Sequence, residues 1–163
     1  LAVGFWQDLE APPGMRADEW RVRAAAVALR AGIAERTAAS VRDIAGTVRT
    51  LPAAAVAQCA ALAQDMLDAG NPGVAAELFE ALLPAAEPAL QRRALFGLGR
   101  SHEMRNQPET AADYYLRASL MPERRMPDAL ALQARQHAAL NLARAGKKED
   151  ARLQFEWLLK HSK

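Results

Sequence analysis

One local pattern recurs three times in this 163-residue chain. Each copy follows a turn residue and reads as a helix in which an alanine precedes an aromatic ring by four positions. The three pairs are Ala75 with Phe79, Ala111 with Tyr115, and Ala151 with Phe155. Residues four apart share one face of a helix, so the alanine lets a neighbouring helix approach and the ring fills the space beside it. The pattern therefore predicts helices that pack in series.

The turn residues between the helices recur with a similar spacing. Successive turns are separated by 38, 36 and 40 residues and contain Gly32, Gly70, Asn106 and Gly146. A helical hairpin of this length cannot bury its apolar face alone, so repeated hairpins must stack. No segment has the alternating pattern of a strand. We expect an all-α fold, a superhelical array of three to four antiparallel helix pairs.

Apolar periodicity and helix breakers divide the chain into eight predicted helices. They cover 17–31, 33–50, 53–69, 71–83, two segments within 92–122, 128–145 and 147–160. Before them, Phe5, Trp6 and Leu9 precede a Pro-Pro-Gly break and form either an end cap or the tail of an earlier helix. The expected organisation is a segment or cap over 1–16, a degenerate hairpin over 17–51, and three hairpins over 52–163 in one array.

The hairpin over 92–122 resembles the tetratricopeptide repeat family. The matching positions are Leu95, Leu98-Gly99 and His102 on the first helix, then Ala111, Tyr115, Ala118 and Pro122 on the second. The flanking hairpins fit less closely, because Met66 replaces a ring and Arg135 stands where a large apolar residue is usual. The segment 21–48 keeps only the period. The resemblance implies a right-handed superhelix whose first helices line a concave groove that binds peptides or partner proteins.

The same resemblance selects candidate partner-binding residues. Arg93, Phe96, Arg100 and Glu103 share the helix face opposite the apolar stripe. The equivalent face of the preceding first helix carries Gln64 and Asp68, and that of the following one carries Gln133, Gln136, Leu140 and Arg144. Phe96 is the strongest expected contact, because an exposed ring makes a good anchor. The Lys and Asn pattern with which some family members clamp a C-terminal carboxylate is absent.

The sequence contains no recognisable catalytic, metal-binding or cofactor-binding motif. His102 occupies a ring position, which favours packing, and His137 has no Cys or second His at ligand spacing. Cys59 lies on an apolar stripe and is expected to be an inert core thiol. We therefore expect no catalytic residues, no metal, no cofactor and no enzymatic activity. A hydrolase centred on His102 and Asp113 is the least favoured alternative.

Charge and hydropathy exclude further classes. The chain has 21 basic and 19 acidic residues, a net charge of +2, which is too small an excess for a nucleic-acid-binding protein. No apolar run reaches the roughly 18 residues that a membrane span needs. The one basic concentration is either a solvated face or a docking site for an acidic peptide. It comprises Arg92, Arg93, Arg100, Arg105, Arg117, Arg124 and Arg125.

These features together predict a protein–protein interaction scaffold with a rigid, pre-formed groove. The Ala- and Arg-rich composition and the family resemblance favour a bacterial origin, and the start at Leu1 suggests part of a longer protein. Either a cytoplasmic or a periplasmic location fits. Two alternatives remain open: an accessory domain of a larger enzyme or regulator, and a homo-oligomerisation module that uses end faces around Trp6 or Trp157.

Overall fold

The computed structural model describes residues 10–30, 34–121 and 129–161, with residues 30 and 34–39 described by their backbone only. These residues form eight α-helices, a short 3-10 turn at Val48–Thr50, and no strand. The predicted all-α class is confirmed. The helices are α1 (Ala17–Arg30), α2 (Ala34–Thr47), α3 (Ala53–Asp68), α4 (Pro72–Leu82), α5 (Pro88–Met104), α6 (Pro108–Leu120), α7 (Ala129–Arg144) and α8 (Lys148–His161).

The chain divides into two compact units, Leu1–Glu87 and Pro88–Lys163. In the first unit, α1 packs on α2 and α3, and α4 packs on α2 and α3, so two helix pairs are stacked. In the second unit, α5, α6, α7 and α8 pack consecutively. Each unit is thus an array of helix pairs, as the repeat predicts. The degenerate hairpin expected over 17–51 belongs to the first unit, and the segment 52–163 extends over both units.

Three of the predicted turns share one backbone geometry. Gly70, Asn106 and Gly146 all have a positive φ, of 79°, 55° and 79°. In each turn the following residue donates its N–H to the carbonyl five positions earlier, at 2.9 Å: Asn71 to Met66, Gln107 to His102, and Lys147 to Leu142. This hydrogen bond caps the end of a helix that stops at a left-handed residue. The three turns therefore share a hydrogen-bonding pattern as well as a sequence pattern.

The recurring alanines complete the same turns. Their N–H groups donate to the residue after the left-handed position at 3.0–3.1 Å: Ala75 to Asn71, Ala111 to Gln107, and Ala151 to Lys147. All three alanines are buried. The Asn71 side chain does not cap α4 and instead donates to the carbonyl of Ala69 at 3.3 Å. Pro72 occupies the first turn of α4.

Gly99 marks the closest approach of two helices in the second unit. A Cβ atom built on Gly99 would lie 2.7 Å from the ring of Tyr115, which is fully buried in α6. Real Cβ contacts are essentially never that short, so α5 and α6 approach this closely only because position 99 lacks a side chain.

The last helix departs from the predicted pattern. We expected Phe155 and Leu158 or Leu159 to face inward, yet Phe155 is 38% exposed and Leu159 is 74% exposed. Only Ala151 is buried on α8, where it packs with Ala112 and Leu142. The reason is that, within the second unit, α8 packs mainly on α7.

Two further differences concern helix ends and coverage. The predicted helix over 33–50 is a shorter α2 followed by the 3-10 turn at Val48–Thr50. Near the start of the described chain, Met15 donates to the carbonyl of Pro12 across the predicted Pro-Pro-Gly break. Several predictions fall on residues outside the described ranges: Phe5, Trp6, Leu9, Gly32, Pro122, Arg124 and Arg125.

Candidate binding surface of the second unit

The ring of Phe96 lies among other rings and not on an open face. It meets Tyr115 edge-on with centroids 5.2 Å apart, and it meets His137 edge-on at 5.7 Å. Phe96 is half-buried as a result. The prediction of an exposed anchor is wrong, because α6 and α7 both approach the side of α5 that the periodicity left open.

Glu103 is also occupied by contacts within the chain. Tyr115 Oη and Arg144 Nη1 each donate to its carboxylate at 2.8 Å, and His137 Nδ1 lies 3.4 Å from Oε2. Burial alone would raise the pKa of Glu103, but hydrogen bonds from Tyr115 and Asn141 and the charges of His137 and Arg144 leave it below its usual value. Glu103 is therefore an ionised carboxylate that connects α5, α6 and α7.

The remaining predicted groove residues are distributed over both units. Gln64 and Asp68 belong to the first unit, where Gln64 Nε2 donates to Asp68 Oδ1 at 2.8 Å. Arg93 is exposed and Arg100 is half-exposed on α5. Arg144 is exposed but pairs with Glu103. Thus the structure leaves only part of the predicted surface open to a partner.

The basic concentration around α5 and α6 is not one solvated face. Arg92 is buried, and its Nη2 donates to the carbonyl of Met121 at the end of α6 at 3.0 Å. The guanidinium of Arg117 lies 5.2 Å from the centroid of Tyr114 and 3.9 Å from a carboxylate oxygen of Asp113. These arginines therefore contribute packing and internal hydrogen bonds, and the interpretation of Arg92 as a surface residue is wrong.

An open groove lies between α7 and α8. It has a volume of about 460 Å³ and is lined by Ala129, Leu132, Gln133, Gln136, Phe155 and Leu158. Two of the predicted contact residues, Gln133 and Gln136, are exposed at this groove. On α8 the residues Ala151, Phe155, Leu158 and Leu159 follow the i, i+4, i+7, i+8 spacing of an apolar stripe. The groove and this stripe together are called the α7–α8 groove below.

Sequence reasoning placed Phe155 and Leu158 in the core and so missed half of this groove. The available signal was their repeat position on α8: within the second unit, the ring of α6 is covered because the following helix, α7, packs on it. Phe79 and Tyr115 have relative exposures of 3% and 0%. Phe155 stands at the same repeat position without such cover.

The opposite side of α8 is fixed to α7 by Arg135. Its guanidinium lies 3.8 Å from the ring centroid of Trp157, and its Nη1 donates to Gln154 Oε1 at 3.1 Å. Burial lowers the pKa of Arg135. The flat guanidinium thus covers an aromatic ring where an apolar residue was expected. Trp157, which also stacks on His161, is used within the chain.

The side chains of His102 and Cys59 are both packed within the fold. His102 stacks on Tyr114 with centroids 5.2 Å apart, and its Nδ1 lies 2.7 Å from Gln107 Oε1. Cys59 is fully buried, and burial raises the pKa of its thiol to about 12, so it is protonated at neutral pH. Among the described residues, no three His, Cys, Asp or Glu side chains are grouped as a metal site would require.

Two findings complete the description. In the part of the chain that the structure describes, no helix has the length and apolar character needed to cross a membrane. Comparison of the chain with models of known protein families, with curated proteins and with solved structures found no match.

Proposed function

We propose that this chain is a protein–protein interaction module and that a partner binds in the α7–α8 groove of its second unit. The observation that carries the proposal is the groove itself, which is open, mostly apolar and lined by exposed parts of two helices. Apolar surface concentrated at a concave site, with polar groups at its edge, is typical of binding sites. Gln133 and Gln136 supply amides at that edge.

The internal repeat supports the same proposal. The rings of α4 and α6 are buried, whereas Phe155, at the same repeat position of α8, is exposed. A partner segment that covered Phe155 and Leu159 would bury the same type of surface that the rest of the chain buries. The contact between Arg135 and Trp157 holds α7 and α8 together beneath the groove, so little conformational entropy would be lost on association.

The resemblance of the central hairpin to tetratricopeptide repeats agrees with a binding role. On this proposal the chain is a non-enzymatic, tetratricopeptide-like helical module from a larger bacterial protein. Of the two alternatives, homo-oligomerisation would use the same exposed apolar stripe of α8. An accessory domain of a larger enzyme or regulator would use the groove to bind another segment of that assembly.

A site-specific photo-crosslinker tests the proposal in cells that make the full chain. We expect a crosslinker at Gln136, on the groove edge, to give a discrete adduct. The matched position is Glu149, which is exposed on α8 and does not line the groove, and it should give none. Adding Phe155→Asp should abolish the Gln136 adduct.

The mass of the adduct separates the alternatives. An increment of 17.7 kDa, the mass of one chain, would identify self-association. A different increment that is lost with Phe155→Asp supports a partner in the groove. Equal adducts from Gln136 and Glu149, or a Gln136 adduct that persists in the Phe155→Asp variant, would contradict the proposal.

A further inference from the structure

We infer that the occupant of the α7–α8 groove is an amphipathic helix whose polar side is acidic. The inference rests on the proposed function and specifies its partner. It follows from three features of the second unit: the shape of the groove, the sign of the charge around it, and the distribution of exposed apolar side chains over the chain.

The shape of the groove suits a helix. Its α7 wall extends from Ala129 to Gln136, which is about 10 Å along the helix axis, or two turns. On the other side, the α8 wall is formed by Phe155 and Leu158, and the exposed Leu159 continues the same apolar stripe. An amphipathic helix fills such a groove with side chains at i, i+3, i+4 and i+7. Within the second unit, α7 packs on α6, and its His137 lies against the ring of Tyr115 with centroids 5.0 Å apart.

Charge selects an acidic partner. The first unit contains 7 basic and 11 acidic residues, whereas the second contains 14 basic and 8 acidic, so their net charges are −4 and +6. The near-neutral total conceals this division. An acidic ligand would be attracted to the second unit, and a basic one would be repelled.

The two helices that form the groove also have a positive net charge. The helix α7 contains two arginines and no acidic residue. From Ala129 to His161 there are six basic and three acidic side chains. Two of those acids, Glu149 and Glu156, pair with Arg152, the residue one turn before Phe155. The walls of the groove are therefore apolar. Arg144 and Lys147 pair with Glu103 and Glu109 of neighbouring helices, so with those two acids counted the excess around the groove is one positive charge, six basic against five acidic side chains.

A second copy of this chain does not match these requirements. Two copies that met through their α7–α8 grooves would bring together surfaces of the same positive charge. The acidic first unit has the complementary sign, but Val27 is the one large apolar side chain that it exposes among its described residues. The described residues of the first unit therefore offer no apolar stripe that could fill the groove.

Two labelled peptides of about 18 residues, long enough to form a helix, test the inference by fluorescence anisotropy with the full chain. Both carry leucine at i, i+3, i+4 and i+7, and their polar positions hold glutamate and glutamine in one, lysine and glutamine in the other. We expect the glutamate peptide to bind about tenfold more tightly at low salt. The difference should shrink toward 1 M salt, where the screening length is about 3 Å.

Variants locate the binding on the protein. Phe155→Asp should abolish binding of the glutamate peptide. Leu153→Asp adds the same charge to an exposed leucine of α8 outside the groove and should reduce affinity much less. The double variant Gln133→Glu with Gln136→Glu places two carboxylates at the groove edge and should remove the preference for the acidic peptide. Circular dichroism of each variant confirms that its helices remain.

The outcomes separate the two proposals. If both peptides bind equally and Phe155→Asp abolishes both, the groove binds helices and the acidic preference is wrong. If neither peptide binds, or if Phe155→Asp and Leu153→Asp have the same effect, the groove itself is not the binding site and both proposals fail. A lysine peptide that binds more tightly would overturn the inference from charge.

Discussion

At the scale of single residues, Glu103 depends most on partners that are distant in sequence. Periodicity places it on the open face of α5, one turn beyond Arg100. Its contacts come from Tyr115, His137 and Arg144, which are 12, 34 and 41 positions away. Helical periodicity shows which residues share a face, but not which faces other helices will cover. The carboxylate therefore joins three helices of the second unit, and its role in binding a partner stays a prediction.

The lowered pKa of Glu103 gives a prediction for stability against pH. A carboxylate with a lower pKa in the folded chain than in the unfolded chain stabilises the fold above its unfolded pKa of about 4.3. That contribution is lost as the pH falls through the folded pKa. We expect Glu103→Gln to lower the free energy of unfolding by about 1–2 kcal/mol at pH 7, because hydrogen bonds from Tyr115 and Arg144 to a charge are lost.

Urea unfolding at a series of pH values measures the difference between the two proteins. The difference should persist from pH 7 down to about 5, shrink below about 4.3 as the unfolded carboxylate takes up a proton first, and vanish below the lowered pKa of the folded carboxylate. The matched variant is Glu109→Gln, whose carboxylate is exposed and pairs with Lys147. It should cost less than about 1 kcal/mol. Equal costs for the two variants, or a pH-independent cost for Glu103→Gln, would contradict this role.

At the scale of helices, the approach of α5 to α6 is set by the absence of a side chain at position 99. We expect Gly99→Ala to destabilise the chain by about 1–2 kcal/mol. The added methyl group would meet the buried ring of Tyr115 at 2.7 Å, and overpacking of this kind costs more than the roughly 1 kcal/mol by which alanine favours a helix. Urea unfolding followed by circular dichroism measures the change.

Gly46 provides the control with the opposite sign. It lies in α2, and a Cβ built on it meets nothing within 4 Å. Gly46→Ala should therefore stabilise the chain by about 0.5–1 kcal/mol through helix propensity alone. If Gly99→Ala also stabilised the protein, the close contact of α5 with Tyr115 would not be the reason for glycine at that position.

The helices themselves could be predicted because their signals are local. Three signals are visible in the sequence: a turn residue suited to a left-handed backbone, the apolar periodicity of a helix, and an alanine four positions before a ring. Gly70 and Gly146 end helices as expected. The candidate site could not be predicted equally well, since exposure depends on which helices lie next to each other. Phe96 and Phe155 therefore both differ from expectation: the expected exposed anchor is half-buried, and the expected core ring is partly exposed.

At the scale of the whole chain, the division between the units follows helix packing and not the quality of the repeat. The sequence predicts one array, with a degenerate hairpin over 17–51 and three clearer hairpins over 52–163. In the structure, α1 and α2 are packed on α3 and α4, and the division comes after Glu87, between two prolines at 84 and 88. Contacts between hairpins decide the boundary, and no single hairpin contains that information.

The last prediction is that Pro88–Lys163 folds by itself. Its four helices pack consecutively, and the contacts of Glu103, Gly99 and Arg135 all lie within it. At 76 residues it is near the lower end of sizes for which one core suffices, so cooperative but modest stability is expected. Circular dichroism should give a helical spectrum, and Glu103→Gln should cost as much as in the full chain.

The fragment 1–87 should also be helical, whereas 1–51 should be largely unfolded because it lacks α3 and α4. A folded 1–51, or an unfolded 88–163, would show that the units are not the cooperative elements of this protein.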